Sequence, residues 1–269
     1  MVAVMTAVAV GPDETVGAMM KRWRERRRRS QLDLSLAADV STRHLSYIET
    51  GRSKPSREMI ERLCDELDVP LRERNRLYLA AGFAPVHPER PLTDLGAAYD
   101  AVHAVLQGME PNPSAAVNVQ WDLVAANDAM VTFLEGLPGE LGRTPLNMLR
   151  ATLHPEGFTA QVRNLEQWRA HVLRRVRRQL ERTAAPGLVD LLAELESYGT
   201  PEPTVPAPDT DDHDLVVPLQ LSTPYGDLSL LYTATVFGSP RDVTLDEIAI
   251  ETFFPADTAT AHALRALAH

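Results

Sequence analysis

Apolar residues recur at helical spacing through the first eighty positions and switch to strand-like runs near the end of the chain. Val16, Met20 and Trp23 share one face of a helix predicted over Gly17 to Arg29. Ser30 is an N-cap type residue with Asp33 three positions on, a capping-box pattern that opens a helix at Gln31 and runs it to about Ala38. Asp39 tolerates the left-handed backbone that a tight turn between helices often needs, and Ser41 caps the next helix, Thr42 to Thr50, which Gly51 ends. Ser56 caps a fourth helix, Arg57 to Leu67, and Leu71 to Ala81 makes a fifth, closed by Gly82. Residues 84–92 hold three prolines and no period, so a boundary is expected there.

Beyond it the pattern is mixed. A helix is expected over Leu95 to Met109, then short strands over Ala115 to Val119 and Trp121 to Ala126, and a helix capped by Asn127 and Asp128. Leu146 to Leu153, Phe158 to Leu180 and Leu188 to Leu195 are helical by period, whereas Tyr198 to Asp214, rich in proline and acid, reads as a mobile loop. Leu215 to Leu221, Leu228 to Phe237 and Ile248 to Phe254 are strand-like, the first two divided by a turn at Pro224 to Asp227, and an alanine-rich helix from Asp257 to Ala268 ends the chain. Two early and three late strands with helices between suit one antiparallel sheet in an α+β domain. The expected organisation is a tail at 1–12, an all-α domain at 13–83, a linker at 84–92 and the α+β domain at 93–269.

Charge sharpens this division. Residues 1–90 carry 16 Lys+Arg against 13 Asp+Glu, and residues 91–269 carry 11 against 24, so an overall balance of −10 conceals a basic first part. Residues 17–57 alone hold 11 basic against 4 acidic side chains, the electrostatic footprint of a nucleic-acid reader. The polar face of the first helix, Lys21, Arg22, Arg26, Arg27, Arg28 and Arg29, is expected to meet phosphate.

With Leu34, Val40, Leu45 and Ile48 pointing inward, Thr42, Arg43, His44, Ser46 and Tyr47 face out of the second helix of a pair. A helix fits the major groove of double-stranded DNA, where Arg43 can donate two hydrogen bonds to guanine. Arg52 and Lys54 extend the basic surface.

Gln31, Leu34, the Asp39-Val40-Ser41 turn, Leu45-Ser46, Ile48-Glu49 and Gly51-Arg52 resemble the helix-turn-helix of the lambda-repressor-like, or Xre-type, regulators. Asp39 stands at a position usually held by glycine and Ser35 at one usually held by alanine. The resemblance implies that Gln31 meets backbone phosphate, that Thr42, Arg43, His44 and Tyr47 lie at base edges, and that Arg24 pairs with Glu49 beneath the recognition helix. The second part resembles the ligand-binding domain of MmyB-like transcription regulators, through Trp121-Asp122-Leu123-Val124 leading to Asn127, Leu146 to Arg150, His154-Pro155-Glu156-Gly157, and Asn164 with Trp168 and His171. That likeness implies a PAS-like fold enclosing a small apolar, fatty-acid-like molecule, and a homodimer with recognition helices about one DNA turn, roughly 34 Å, apart. Under it Trp121, Phe133, Trp168 and Tyr232 line the cavity, while Arg150, His154, Asn164 and His171 are polar candidates to hold a carboxylate head group. The run Arg174, Arg175, Arg177 and Arg178 reads as a solvated helix face.

Enzyme readings find no support. The eight histidines form no i,i+4 pair, one cysteine cannot build a zinc cluster, and no G-x-S-x-G elbow, Walker loop or G-x-G-x-x-G is present. No catalytic residue, metal or cofactor is expected. The single Cys64 fits a reducing cytoplasm, and no apolar run reaches membrane-spanning length. A different class stays open on the residues alone: an antitoxin-like or scaffold protein whose helical domain holds a protein partner.

Overall fold

The computed structural model describes residues 14–199, 216–224 and 226–267. The expected tail, most of the Tyr198 to Asp214 loop and Tyr225 of the expected turn lie outside them. Two compact units form the chain. One comprises the residues up to Arg90 together with 239–246, and the other comprises 91–238 and 247–269.

The first unit holds α1 (Val16–Arg26), α2 (Gln31–Ala37), α3 (Thr42–Glu49), α4 (Arg57–Glu66) and α5 (Leu71–Ala80), each within a few residues of expectation. Local chemistry sets these bounds. Ser30 and Asp33 form the reciprocal capping box, Ser41 and Ser56 cap α3 and α4, and Asp39 takes the left-handed turn at φ 51°. The α1 helix ends three residues early because Arg28 itself turns left-handed, at φ 52°. Met20, Trp23, Leu34, Leu45, Ile48, Ile60, Leu63 and Leu77 are buried as one apolar core. Cys64 is free and buried there, its thiol pushed up to about 12 by burial, as suits a packing residue.

Gly17 lets α1 come close to α3. A Cβ at that position would lie 2.1 Å from the carbonyl oxygen of Ile48, a backbone atom that cannot swing away. Gly17→Ala is therefore expected to destabilise this unit by ~1–3 kcal/mol, the usual range for overpacking, read as a lowered midpoint in urea unfolding. An unchanged midpoint would mean that the helices are free to separate.

The segment 239–246 completes this unit. It carries a single helical turn, α11 (Val243–Asp246), whose Val243 is fully buried and donates its N–H to Pro88 O at 2.9 Å. The Asp246 carboxylate accepts from the N–H of Leu71 at 3.1 Å, the start of α5, which has no side-chain cap of its own. Asp242 pairs with Arg90 at 3.2 Å. The proline-rich segment is also held to α5: Asn75 accepts from the N–H groups of Val86 and His87 and donates to His87 O.

The second unit is a five-stranded antiparallel sheet with helices, the PAS-like α+β architecture expected. Its strands are β1 (Ser114–Val117), β2 (Leu123–Ala126), β3 (Leu219–Thr223), β4 (Gly226–Val236) and β5 (Ala249–Pro255), in the order β2-β1-β5-β4-β3. Its helices are α6 (Ala97–Gly108), α7 (Asp128–Leu134), α8 (Met148–Leu153), α9 (Leu165–Thr183), α10 (Gly187–Ser197) and α12 (Thr258–Leu267). The core packs Trp168, Val172 and Val176 of α9 and Leu188, Leu191 and Leu195 of α10 with Val117, Leu219, Leu221 and Leu230 of the sheet.

One expected element is divided. Phe158 to Leu180 is a single 3₁₀ turn, Phe158–Gln161, followed by an extended link and then α9. The link binds the exposed edge of β3: Arg163 N–H donates to Gln220 O at 2.8 Å, and Asn164 both donates to Pro218 O and accepts from Gln220 N–H. The link gives up helical hydrogen bonds and covers backbone groups that the edge strand β3 would otherwise leave open.

Candidate DNA-reading helix and candidate ligand cavity

The outward face of α3 is fixed by a buried ion pair beneath it. Arg24 Nε and Nη2 donate to the two carboxylate oxygens of Glu49 at 2.7 and 2.9 Å, and its Nη1 donates to Arg29 O at 2.9 Å. Hydrogen bonding to Glu49 raises the Arg24 pKa above its ordinary value against the pull of burial. Gln31, expected to meet phosphate, spends its side-chain N–H on Glu49 at 2.8 Å. Its place is at the start of α2, braced against the pair.

Above this, Arg43 Nε donates to Tyr47 Oη at 2.9 Å and its guanidinium lies over the Tyr47 ring, 5.4 Å from the centroid. Arg52 approaches the same ring at 5.9 Å. Arg43, Arg52 and Lys54 are exposed, and His44, Ser46 and Tyr47 are half-buried. Thr42 shares a 2.8 Å hydrogen bond with Ser35, whose hydroxyl also donates to Leu32 O. The serine in place of alanine thus tethers the start of α3 to α2.

The basic face of α1 needs a correction. Arg27 donates to the carbonyls of Leu67 and Asp68, and Arg29 to that of Glu66, so both close the C-terminal end of α4, where unpaired carbonyls and the helix dipole favour a cation. Arg22 pairs with Glu14. These three charges hold the fold, whereas Lys21 and Arg28 of the same expected face are exposed.

In the second unit the expected pocket residues fall into two groups. Trp121, Trp168, His171 and Tyr232 line one chamber of about 40 Å³, together with Met148, Thr152 and Phe253. Phe133 lines a second of about 50 Å³ with Met130, Phe158, Leu221 and Leu230. Met148, Thr152 and Phe253 belong to both, so the chambers adjoin. Arg150, His154 and Asn164 line neither. Arg150 is held bidentately by Glu194 at 2.7 and 2.8 Å, His154 packs edge-on against Tyr198, and Asn164 is the clip on β3.

The Trp121 ring is positioned by a tight turn. Trp121 has φ 72°, its N–H donates to Asn118 O, and Asn147 donates to Gln120 O and Asp122 Oδ1 while capping α8. Its indole N–H donates to Gln179 at 2.7 Å.

At the floor of the first chamber lies a pair that the sequence reading missed. Arg175, expected on a solvated face, donates Nη1 to Glu251 Oε2 at 2.8 Å and Nη2 to Oε1 at 2.7 Å. Its guanidinium lies 4.3 Å from the Trp121 ring centroid and 4.1 Å from that of Tyr232. Glu251 has Ala115 and Ala234 as its cross-strand neighbours on the central strand β5, and these small side chains leave room for the guanidinium. Burial pushes the Glu251 carboxyl up to about 7 even with Arg175 beside it. Two signals for this pair were available: Arg175 lies four and seven positions after His171 and Trp168, on the apolar face of α9, and Glu251 interrupts the apolar run from Ile248 to Phe254.

Among the described residues, no group of three or more His, Cys, Asp or Glu side chains is placed to hold a metal, and no helix is long and apolar enough to cross a membrane. Residues 15–77 match a family described as a helix-turn-helix domain, and residues 98–267 match the MmyB-like transcription regulator ligand binding domain. Similar relatives include uncharacterized HTH-type transcriptional regulators of Mycobacterium tuberculosis (strain ATCC 25618 / H37Rv) and Mycobacterium bovis (strain ATCC BAA-935 / AF2122/97), each 38% identical over 68 residues. The match takes in 25% of this chain and 27% of theirs, so the chain spans about a quarter of the length of the curated relatives it matches. A helix-turn-helix unit followed by a domain match covering well over half of the sequence makes this chain a member of the MmyB-like transcription regulators.

Proposed function

We propose that this transcription regulator is an Xre-type, sequence-specific DNA-binding homodimer of the cytoplasm, without enzymatic activity, and that its second domain senses a small apolar, fatty-acid-like ligand. The observation that carries the DNA reading is the Arg43–Tyr47 pair on the outward face of α3. A guanidinium already ordered against a ring loses less freedom when it meets a base edge, and Arg is the usual bidentate partner of guanine. Arg43, with Thr42, His44, Ser46 and Tyr47, reads bases; Arg52 and Lys54 meet phosphate, with Gln31 at the helix start.

The ligand reading is supported by the two adjoining chambers. At about 40 and 50 Å³ they hold only a few water-sized groups each, so an acyl chain enters when Met148 and Phe253 move aside. Methionine is the side chain best suited to that repacking. A ligand that binds the opened domain better than the closed one shifts the balance between them, which is what sensing requires.

Fluorescence anisotropy tests the DNA reading, with the protein titrated onto its own upstream DNA and onto a scrambled copy. Binding to the native sequence is expected to be at least ~10³-fold tighter, with Arg43→Ala removing roughly 1–3 kcal/mol of that preference. Equal binding to both DNAs that Arg43→Ala leaves unchanged would point instead to a protein-contact role for the helical domain.

A further inference from the structure

The first chamber is built from polar groups that are satisfied in one part and unsatisfied in another. Arg175 and Glu251 satisfy each other through two charge-assisted hydrogen bonds, with aromatic rings near the guanidinium. Above about pH 7, where Glu251 is ionised, the charges of this pair cancel. Three other buried polar atoms of the same lining residues have no hydrogen-bond partner among the described residues: the indole Nε1 of Trp168, Nε2 of His171 and the hydroxyl of Tyr232. Their rings form one cluster, with Trp168 stacked on His171 at 5.3 Å and Tyr232 edge-on to both at 6.5 and 6.1 Å.

Two members of this cluster, the indole and the phenol, call for a partner that accepts. An indole N–H only donates and a phenol can donate, and each buried group left unpaired costs roughly 1–3 kcal/mol. The second chamber is lined by fewer polar side chains. Thr152, the polar residue it shares with the first, already donates its hydroxyl to Met148 O at 2.7 Å. The adjoining chambers therefore form an amphipathic pair, with donors at one end and hydrocarbon at the other.

We propose that the aromatic chamber is a head-group site for an uncharged carbonyl oxygen, as in an ester or ketone, which accepts hydrogen bonds from Tyr232 and Trp168, with the acyl chain passing Met148 and Phe253 into the second chamber. This rests on the reading of the domain as a sensor of acyl-type ligands and names the head group it selects. A carboxylate is disfavoured because Arg175, the cation it would need, is already bound by Glu251. Its charge would be buried beside a second carboxylate, and a buried anion without its own counter-charge is expensive. Arg150, the other cation considered for a carboxylate, is outside the chamber and held by Glu194.

Calorimetric titration of the full chain with 2-decanone and with decanoate at pH 8 tests this, in the wild type and in Tyr232→Phe and Trp168→Phe. The ketone is expected to bind at least ~10-fold more tightly than decanoate, and each variant to weaken the ketone by about 2- to 10-fold, the range for a lost hydrogen bond, while leaving decanoate unchanged. Tyr232→Phe removes only the oxygen, so an unchanged melting temperature separates this loss from misfolding. Decanoate binding as tightly as the ketone or more tightly, or a ketone affinity indifferent to both variants, overturns the head-group assignment and leaves the acyl-sensor reading intact. Failure of both probes to bind overturns the two together.

Discussion

Glu49→Ala is expected to destabilise the DNA-binding unit by ~3–5 kcal/mol, the largest loss foreseen from any single substitution near α3. The Glu49 side chain is 1% exposed and accepts from Arg24 twice and from Gln31 once. Truncation removes both carboxylate oxygens and all three hydrogen bonds, and leaves a guanidinium, itself only 10% exposed, with the exposed Glu25 carboxylate at 3.8 Å as its remaining counter-charge. The loss far exceeds that of an exposed pair such as Arg143 with Glu140, for which ~0–1 kcal/mol is usual. The measurement is urea unfolding of the wild type and Glu49→Ala followed by helical circular dichroism. A shift below ~1 kcal/mol would show that water reaches the pair. Because α3 carries Arg43, operator affinity should fall with stability and return partly on cooling.

The second large effect is expected at Glu251. Glu251→Ala leaves Arg175 buried between Trp121 and Tyr232 with no anion, at a cost of ~3–5 kcal/mol to the second unit. Replacing both together, Arg175→Met with Glu251→Leu, should be near neutral or stabilising by ~1–4 kcal/mol, since neither charge then needs desolvating. The pair also makes stability depend on pH. Burial places the folded carboxyl at about 7 against an ordinary value of 4.5, so between these limits the native chain holds a proton that the unfolded chain has released. Stability therefore falls as pH rises through that window, by up to ~1.4 kcal/mol per unit, with the penalty complete above about 7 and absent below about 4.5. Melting wild type and Glu251→Gln from pH 5 to 8 isolates the effect, because glutamine cannot titrate. The wild type should lose ground steadily as pH rises; parallel curves would place the folded carboxyl near its ordinary value.

Local chemistry was legible in the sequence, and distant pairing was not, apart from Arg24 with Glu49, which the family resemblance implied. The capping box at Ser30 and Asp33, the serine caps and the left-handed Asp39 are determined within a few residues, so the helix pair and the outward face of α3 could be read directly. The five strands were likewise visible as period-2 or apolar runs between turns. The basic face of α1 misled because the carbonyls that engage Arg27 lie some 40 residues away. Arg175 and Glu251 are 76 residues apart, and no local rule converts an arginine within a basic run into the partner of one carboxylate on another element. Phe158 to Leu180 keeps a helical period throughout, yet the edge of β3 competes for its backbone and breaks it at Val162 to Asn164. The chambers follow from the same nonlocal packing, which explains why the aromatic residues were anticipated while Arg150, His154 and Asn164 lie elsewhere.

The return of the chain to the first unit at 239–246 changes what counts as a part of this molecule. These units are not beads on a string. The backbone passes between them at residues 90–91, 238–239 and 246–247, so a cut in the proline-rich segment releases neither intact. A graft that swaps residues 1–90 for another reader would discard the surface that receives Val243 and would leave the carboxylate of Asp246 without the first turn of α5, whose N–H it accepts. Recombination that shuffles readers among sensors must exchange two separate stretches of gene together, with one junction at 90–91 and two more, at 238–239 and 246–247, within the connection joining β4 to β5.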